Sequence, residues 1–375
     1  MKADKTHKNH PHLSLTRTMA VLSFAAIALL LTALSPQLPL LFASAFGIED
    51  NNNKNSNNNN IPTTAVSLTE SNNDGSSTTS AAANGSTGPA DFNIAAVGDW
   101  GCTSDTEDTV DNIISKSPEV VIGLGDNAYE PDIDCWFDIV EPIDDIMKNV
   151  IGNHEIEDGT LDEILEHYND DYQSKQYYAF SHENVRIIVM STEIDDNATS
   201  AQHIFVESEL EDAASNSSID WIIVAMHRQM YGSPSTVLPI MDSAQLNLIE
   251  AYHPLFQKYG VDLVLYGHNH LYERTYPLNF SSDDDPDEPF ITTTGAINYL
   301  NPDGQIFITI GTGGEDLFEF TDRKPYVVSQ FDEEFGFLDI SITTTDDGGG
   351  KRLVGTFYDN DGDIQDQFEV IKQGE

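Results

Sequence analysis

Residues 93–101, Asn-Ile-Ala-Ala-Val-Gly-Asp-Trp-Gly, place a strand-like apolar run directly before a glycine and an aspartate, and this arrangement recurs along the chain. Apolar runs at 120–124, 150–151, 221–225 and 263–266 precede Gly125-Asp126-Asn127-Ala128-Tyr129, Gly152-Asn153-His154-Glu155, Met226-His227 and Gly267-His268-Asn269-His270. In layered α/β folds, functional groups lie at the carboxyl ends of strands. The recurring pattern therefore predicts one polar site at the edge of a sheet.

The segments between these runs have helical periodicity, which predicts alternating strands and helices. The predicted helices cover 104–116, 160–168, 200–214 and 242–259, and a capping box is predicted at Thr160-Leu161-Asp162-Glu163. After His270, strands are predicted at 306–310, 335–344, 352–358 and 364–371, with turns at 346–348 and 360–362. We expect an α/β fold of two sheets packed face to face, with helices outside.

The N-terminal quarter of the chain has a different composition from the rest. Lys2, Lys5, Lys8 and Arg17 precede the apolar residues 19–34, and residues 42–46 offer an A-x-A cleavage pattern, so 1–45 is predicted to be a signal peptide. A retained membrane anchor is the alternative, although the first apolar run is shorter than the roughly 20 residues that span a bilayer. Residues 46–89, rich in Asn, Ser and Thr, are predicted to be a disordered stalk, and 90–375 one folded domain.

The chain is strongly acidic, with 63 Asp and Glu against 17 Lys and Arg and a net charge of −46. Phosphate backbones are bound through Lys and Arg, so nucleic acid is excluded as a partner. A membrane is expected as a partner only if the N-terminal segment is retained as an anchor. The acidic run at 283–288 is expected to be a solvated loop, with weak calcium binding as the alternative.

Two cysteines follow the first two motifs, Cys102 after Asp99 and Cys135 after Asp126. In an exported protein they could form one disulfide that flanks the predicted site. Thiolate metal ligation is the alternative, but neither spacing resembles a zinc knuckle.

The motifs combine carboxylates, an amide and imidazoles, a set of donors suited to iron, zinc or manganese. The candidate ligands from spacing alone are Asp99, Asp126, Asn153, His227, His268 and His270. Asp126, in the middle of the three early motifs, is expected to bridge two metals. In an extended segment His268 and His270 would project from the same face, so each could reach a different metal. Other histidines, at 167, 182, 203 and 253, lack such a context and are expected at the surface or in the core.

The motifs resemble those of the calcineurin-like metallophosphoesterases and, within them, the purple acid phosphatases. Most members of the superfamily begin with Asp-x-His, whereas this chain has Gly101 at the histidine position and gains Tyr129 at the position of the tyrosinate ligand of the purple enzymes. The stretches 226–231, 267–274 and 308–314 are also similar to the plant enzymes. The resemblance implies a four-layer α/β/β/α metallophosphoesterase sandwich.

The resemblance also implies a role for each site residue. Ferric iron would be held by Asp99, Asp126, Tyr129 and His270, and a divalent Fe, Zn or Mn by Asp126, Asn153, His227 and His268. A metal-bound hydroxide would attack phosphorus in line, and His154 would protonate the leaving oxygen. Arg228 and Tyr231 are the candidates for contacts with a small phosphorylated substrate.

The function implied in this way is an exported acid phosphatase that hydrolyses phosphomonoesters and is secreted or displayed at the cell surface. A nucleotide or phosphodiester hydrolase on the same fold is the first alternative, because the metal motifs leave the leaving group open. A surface binding protein with an inactive site is the second.

Overall fold

The computed structural model describes residues 91–131, 133–168, 175–239, 241, 243–281, 288–344 and 350–374. The predicted signal peptide or anchor, the predicted stalk, the acidic run from 283 to 287 and the predicted turn at 346–348 lie outside the described residues. Within the described ranges, no helix combines the length and the apolar character that crossing a membrane requires.

The described chain forms strands and helices in the following order. The first half contains β1 Phe92–Val97, α1 Ser104–Lys116, β2 Val120–Gly123, α2 Asp134–Val140, a 3-10 helix Glu141–Ile146, β3 Met147–Asn149, α3 Asn153–Glu157, α4 Leu161–His167, β4 Tyr178–His182, β5 Val185–Val189, α5 Ala201–Ser215 and β6 Trp221–Ala225. The second half contains α6 Ser243–Tyr259, β7 Leu263–Tyr266, β8 Tyr272–Thr275, β9 Leu278–Asn279, β10 Phe290–Ile291, β11 Asn298–Leu300, β12 Ile306–Ile310, β13 Val327–Phe331, β14 Gly336–Thr344, β15 Gly350–Asp359 and β16 Ile364–Gln373.

Two seven-stranded mixed sheets organise these elements. The first has the order β11-β16-β15-β14-β1-β2-β3, and the second β13-β8-β12-β7-β6-β5-β4; β9 and β10 form a separate pair. In the first sheet β1, β2 and β3 are parallel, with Ile94 beside Val120. In the second, β5, β6, β7 and β12 are parallel. The carboxyl ends of these parallel strands carry the predicted motifs of both sheets to one edge of the sandwich.

The second sheet is buried on both faces, because neighbouring residues on one strand point to opposite sides. On β6, Ile223 belongs to the core that it shares with β1 and β2 of the first sheet, whereas Ile222 and Val224 pack with α5 and α6. Helix α1 packs against β14 on the first sheet. The predicted α/β fold with two large mixed sheets is confirmed, although the helices are few.

The observed elements differ from the predicted ones in a few places. Val150 and Ile151 are buried but follow β3, which pairs with β2 through 147–149. Thr160 makes no side-chain capping bond to α4; the capping box forms instead at Thr103, whose hydroxyl accepts from the amide of Thr106. Strands β4 and β5 and helices α2 and α3 were not predicted, because their short runs lack a clear period.

Candidate metal centre

Three of the predicted ligands have left-handed backbone conformations. Asp99, Asp126 and His268 have φ values of 59°, 53° and 69°. Such values are uncommon for residues other than glycine and concentrate at functional sites. Each residue lies where a strand turns sharply at the sheet edge, and the turn directs its side chain into the cleft.

Two glycines let backbone segments approach the ligand carboxylates closely. A Cβ on Gly267 would lie 2.5 Å from Asp99 Oδ2, and one on Gly152 would overlap Asp126 Oδ1. Any side chain at either position would therefore displace a carboxylate that the site needs.

One half of the site gathers Asp126, Asn153, His227 and His268. Asp126 Oδ2 lies 3.1 Å from His227 Nε2, and Asn153 Oδ1 lies 3.2 Å from the same nitrogen. Ligand atoms of Asp126, His227 and His268 all lie within 4.8 Å of one another. His227 Nδ1–H donates to the Leu124 carbonyl at 2.8 Å, which leaves Nε2 as the nitrogen that faces the carboxylate.

The other half gathers Asp99, Tyr129 and His270. The Tyr129 oxygen lies 3.0 Å from His270 Nε2, and that nitrogen lies 3.4 Å from Asp99 Oδ1. His270 Nδ1–H donates to the Asp316 carbonyl at 2.8 Å, and its ring stacks on Phe318 with centroids 4.0 Å apart. The imidazole is thus held in one orientation from behind.

The two histidines of Gly267-His268-Asn269-His270 lie in different halves of the site, and the backbone between them is not extended as predicted. The prediction of an extended segment is wrong at His268, where φ is 69°. The left-handed turn sends His268 towards His227, with ring centroids 5.0 Å apart, and leaves His270 beside Tyr129.

Burial and the charges within the site shift the pKa values of its titratable groups. Burial opposes ionisation of Asp126, but the charge and hydrogen bond of His227 and the backbone N–H of His154 hold the Asp126 pKa below its usual range. Burial likewise opposes protonation of His227, yet the Asp126 charge raises the pKa of His227 to about 10. The pKa of His268 lies well below its usual value because of burial and the nearby His227 and Arg228 charges. The Asp126 carboxylate and the unprotonated His268 imidazole suit a divalent cation, and a metal ion that binds His227 would displace the proton from its ring.

Tyr129 is the group that most needs a cation. Burial and the charges of Asp99, Asp126 and Glu315 raise the pKa of the Tyr129 hydroxyl well above its ordinary value. A phenolate therefore forms here only if a strongly charged cation binds beside it. Together with the converging oxygen and nitrogen donors, this site fits a pair of metal ions.

Glu155 is a site residue to which the sequence assigned no role. It is fully buried, and its carboxylate accepts from the backbone N–H groups of Asp126, Asn127 and Gly152 at 3.1, 2.8 and 2.6 Å. Burial and the Asp126 charge raise the Glu155 pKa to about 7. Its place in the Gly152-Asn153-His154-Glu155 motif was the available signal. Glu155 ties the second ligand loop to the third.

The predicted catalytic and substrate residues occupy different environments. His154 lies at the cleft, half-buried, with its ring 4.2 Å from that of Tyr129 and Nδ1 2.8 Å from Asp158 Oδ2. Arg228 Nη1 lies 3.2 Å from His268 Nε2. The prediction that Tyr231 contacts the substrate is wrong. Its side chain is 1% exposed and its hydroxyl contacts His253 Nδ1 at 2.7 Å, so it packs in the core and offers no surface to a substrate.

The two cysteines are joined. Cys102 and Cys135 form a disulfide with Cα atoms 5.9 Å apart, across a sequence separation of 33 residues. The bond links the loop after Asp99 to the start of α2, beyond the loop that carries Asp126 and Tyr129. No thiolate is left for metal ligation among the described cysteines.

Part of the chain matches a known family. Residues 92–272 match the calcineurin-like phosphoesterase model. Purple acid phosphatase 23 of Arabidopsis thaliana is 26% identical over 261 residues, which cover 59% of this chain and 52% of that protein. Another Arabidopsis thaliana relative, named probable inactive purple acid phosphatase 1, is 28% identical over 282 residues, covering 68% of this chain and 44% of that protein. The chain thus spans about half the length of these relatives.

The fold has a solved counterpart. Purple acid phosphatase PPD1 from yellow lupin (Lupinus luteus) seeds superposes with a TM-score of 0.62 and 22% identity over 76% of this chain and 55% of that chain. At this identity the likeness shows a shared fold. Residues 92–272 therefore form a calcineurin-like metallophosphoesterase domain, and purple acid phosphatases are among the proteins similar to this chain.

Proposed function

We propose that the chain is a phosphatase with two metal ions that hydrolyses phosphomonoesters. The observation that carries this proposal is the convergence of every predicted ligand at one edge of the sandwich. The ligands are Asp99, Asp126, Tyr129, Asn153, His227, His268 and His270. An inactive relative would be expected to have lost some of these donors, and this chain retains them all.

The protein groups divide into two ligand sets. Asp99, Tyr129 and His270 would hold ferric iron, and Asn153, His227 and His268 a divalent Fe, Zn or Mn, with Asp126 between them. When bound, such a pair supplies Lewis-acid activation of water and neutralises charge on the phosphoryl oxygens. The rest of the chemistry falls to the side chains around the pair.

His154 is our candidate for the residue that moves a proton. Asp158 accepts from Nδ1–H at 2.8 Å, which fixes the ring and turns Nε2 away from that carboxylate. The backbone N–H of His154 donates to Asp126 Oδ1 at 2.9 Å, which holds the His154 backbone beside the proposed bridging ligand. We assign His154 as the general acid that protonates the leaving alkoxide.

Export of the protein is part of the same proposal. The basic residues and the apolar run at the N-terminus support a secretory signal, and a disulfide is typical of oxidising compartments. The catalytic domain would then be secreted or displayed outside the cell.

The experiment that tests this function uses the full chain, exported by its host and loaded with iron. Metal content, visible absorbance and hydrolysis of a panel of phosphomonoesters and phosphodiesters are measured across pH, with Asp126→Asn as the ligand-deficient control. We expect two metals per chain and turnover of monoesters that Asp126→Asn abolishes. Turnover confined to diesters or nucleotides would select the alternative hydrolase, and a fully loaded chain that cleaves no ester would identify an inactive binding protein.

A further inference from the structure

Strand β5 is the parallel strand whose carboxyl end received no role from the motifs. It runs parallel to β6, with Val189 beside Ala225, so the residues after β5 lie next to the loop that carries His227 and Arg228. Those residues are Met190-Ser191-Thr192-Glu193. By the same topology that places the other ligand loops, Glu193 belongs to the rim of the site.

A buried glutamine holds this loop in place. The Ser191 amide donates to Gln202 Oε1 and Gln202 Nε2 donates to the Ser191 carbonyl, both at 2.8 Å, and Gln202 is 1% exposed. The Glu193 amide then donates to Ser191 Oγ at 3.2 Å. The backbone of Glu193 is thereby fixed to α5, which makes it a rigid support.

Glu193 grips Arg228 at two points. Arg228 Nε donates to Glu193 Oε1 at 2.7 Å and Nη2 to Oε2 at 3.2 Å. The Thr192 hydroxyl donates to Glu193 Oε1 at 3.0 Å and accepts from the Arg228 amide at 3.2 Å. A two-point pair of this kind sets the plane of the guanidinium as well as its position. The Glu193 side chain is 10% exposed, so water screens the pair little.

The remaining guanidinium nitrogen points to the metal ligands. Arg228 Nη1 lies 3.2 Å from His268 Nε2, the nitrogen that we assign to a metal. A metal-bound Nε2 has no lone pair left to accept a hydrogen bond, so this N–H would turn to whatever oxygen lies beside the metal. Phosphoryl oxygens suit the guanidinium in charge and in geometry.

We propose that Glu193 is a positioning residue that holds Arg228 against the phosphoryl group of the substrate and of the product phosphate. The inference rests on the proposed phosphatase function, because it assigns a ligand to the same cleft. Within it Arg228 is the residue that touches phosphate, and Glu193 acts through Arg228.

The test compares Glu193→Gln, Glu193→Ala, Arg228→Ala and the double variant Glu193→Ala/Arg228→Ala with the metal-loaded full chain. The matched control is Glu209→Gln, because Glu209 pairs with Arg186 at the opposite end of the same strand. Inorganic phosphate is the probe, titrated by calorimetry and as a competitive inhibitor, alongside KM, kcat, metal content and melting temperature.

We expect Arg228→Ala to weaken phosphate binding and raise KM by about 10-fold or more, the usual effect of losing a hydrogen bond to a charged group. Glu193→Ala should do nearly the same and Glu193→Gln somewhat less, with two metals retained. The double variant should bind phosphate no more weakly than Arg228→Ala, because the two substitutions remove the same interaction. Glu209→Gln should leave phosphate binding unchanged.

Two results would overturn the proposal. If phosphate binds Glu193→Ala as tightly as it binds the wild type, or more tightly, the Glu193 carboxylate only cancels the charge of Arg228. Additive losses in the double variant would show that the two residues act independently. The calorimetric arm requires no turnover, so it remains decisive even if the chain hydrolyses no ester and the proposed function itself fails.

Discussion

The Tyr129 hydroxyl donates a hydrogen bond to Asp99 Oδ1 over 3.2 Å. Both residues lie in the half of the site that we assign to ferric iron. Because burial and nearby carboxylates raise the Tyr129 pKa, the phenolate exists only when a cation replaces that proton. If Tyr129 binds ferric iron as we propose, the colour of the iron-loaded protein would report on the ligand set.

Tyr129→Phe is expected to abolish the visible charge-transfer band of the iron-loaded protein. Phenylalanine keeps the ring that contacts His154 but removes the oxygen that would bind iron. Absorbance spectroscopy at matched iron content checks this. A wild type that contains ferric iron but shows no such band contradicts the assignment of Tyr129.

Glu155→Gln is expected to destabilise the fold by about 1–3 kcal/mol and to lower metal content. The carboxylate accepts from three backbone N–H groups of the ligand loops, and an amide oxygen cannot satisfy all of them. Denaturant unfolding and metal analysis measure the two effects. Glu157→Gln, an exposed position on the same short helix, is the control and should change neither quantity.

His154→Ala is expected to slow hydrolysis of esters with poor alkoxide leaving groups by roughly 100-fold to 10,000-fold, because an unprotonated alkoxide is difficult to expel. An activated phenol ester needs little protonation and should slow far less, while both metals stay bound. Steady-state rates on the two ester types separate these cases. Equal slowing of both, or loss of a metal, would make His154 a ligand or a phosphate-positioning group.

Cys102→Ser/Cys135→Ser is expected to destabilise the protein by about 3 kcal/mol, since the bond closes a loop across a separation of 33 residues. The unfolded, unreduced wild type should contain no free thiol when titrated. Two titratable thiols in the exported protein would rule out the disulfide in solution.

Stability is expected to fall as pH decreases from 6.5 to about 4 because of His253. Burial lowers the His253 pKa to about 4. Between pH 6.5 and 4 the unfolded chain therefore binds a proton at His253 that the folded chain does not bind. The full effect is about 3 kcal/mol, present above pH 6.5 and lost below pH 4. Unfolding free energies across this range should show a steeper slope for wild type than for His253→Gln. Equal slopes would exclude His253 as the source.

The sequence predicted the parts of the fold in which local signals agree. Strand β6 and helix α1 match their predicted bounds because an apolar run or an amphipathic stripe ends at a clear break. Val150 and Ile151 are equally apolar, yet they lie outside the ladder, because burial alone does not make a strand. Tyr231 was wrongly predicted to contact the substrate, because sequence periodicity does not show that its side chain is buried in the core behind the site.

The sequence indicated the candidate ligands, but it did not indicate the residues that support them. A glycine followed by a metal-binding side chain leaves a local mark, as at Gly125 and Asp126. Glu155 and Glu193 act through contacts that form only after loops distant in sequence meet. Their roles depend on which backbone N–H or guanidinium lies beside them in the folded protein, and residue spacing in the sequence does not show this.

The origin of the ligands has a consequence for folding. Oxygen donors Asp99, Asp126, Tyr129 and Asn153 follow strands of the first sheet, whereas the imidazoles of His227, His268 and His270 follow strands of the second. Each metal would therefore add a link between two layers that are otherwise joined by apolar packing and by polar contacts such as the pair between Arg274 and Asp366. By mass action, a metal present at 1,000 times its dissociation constant adds about 4 kcal/mol to the free energy of unfolding. Removal of the metals by a chelator would accordingly weaken the packing of the two sheets as well as abolish activity.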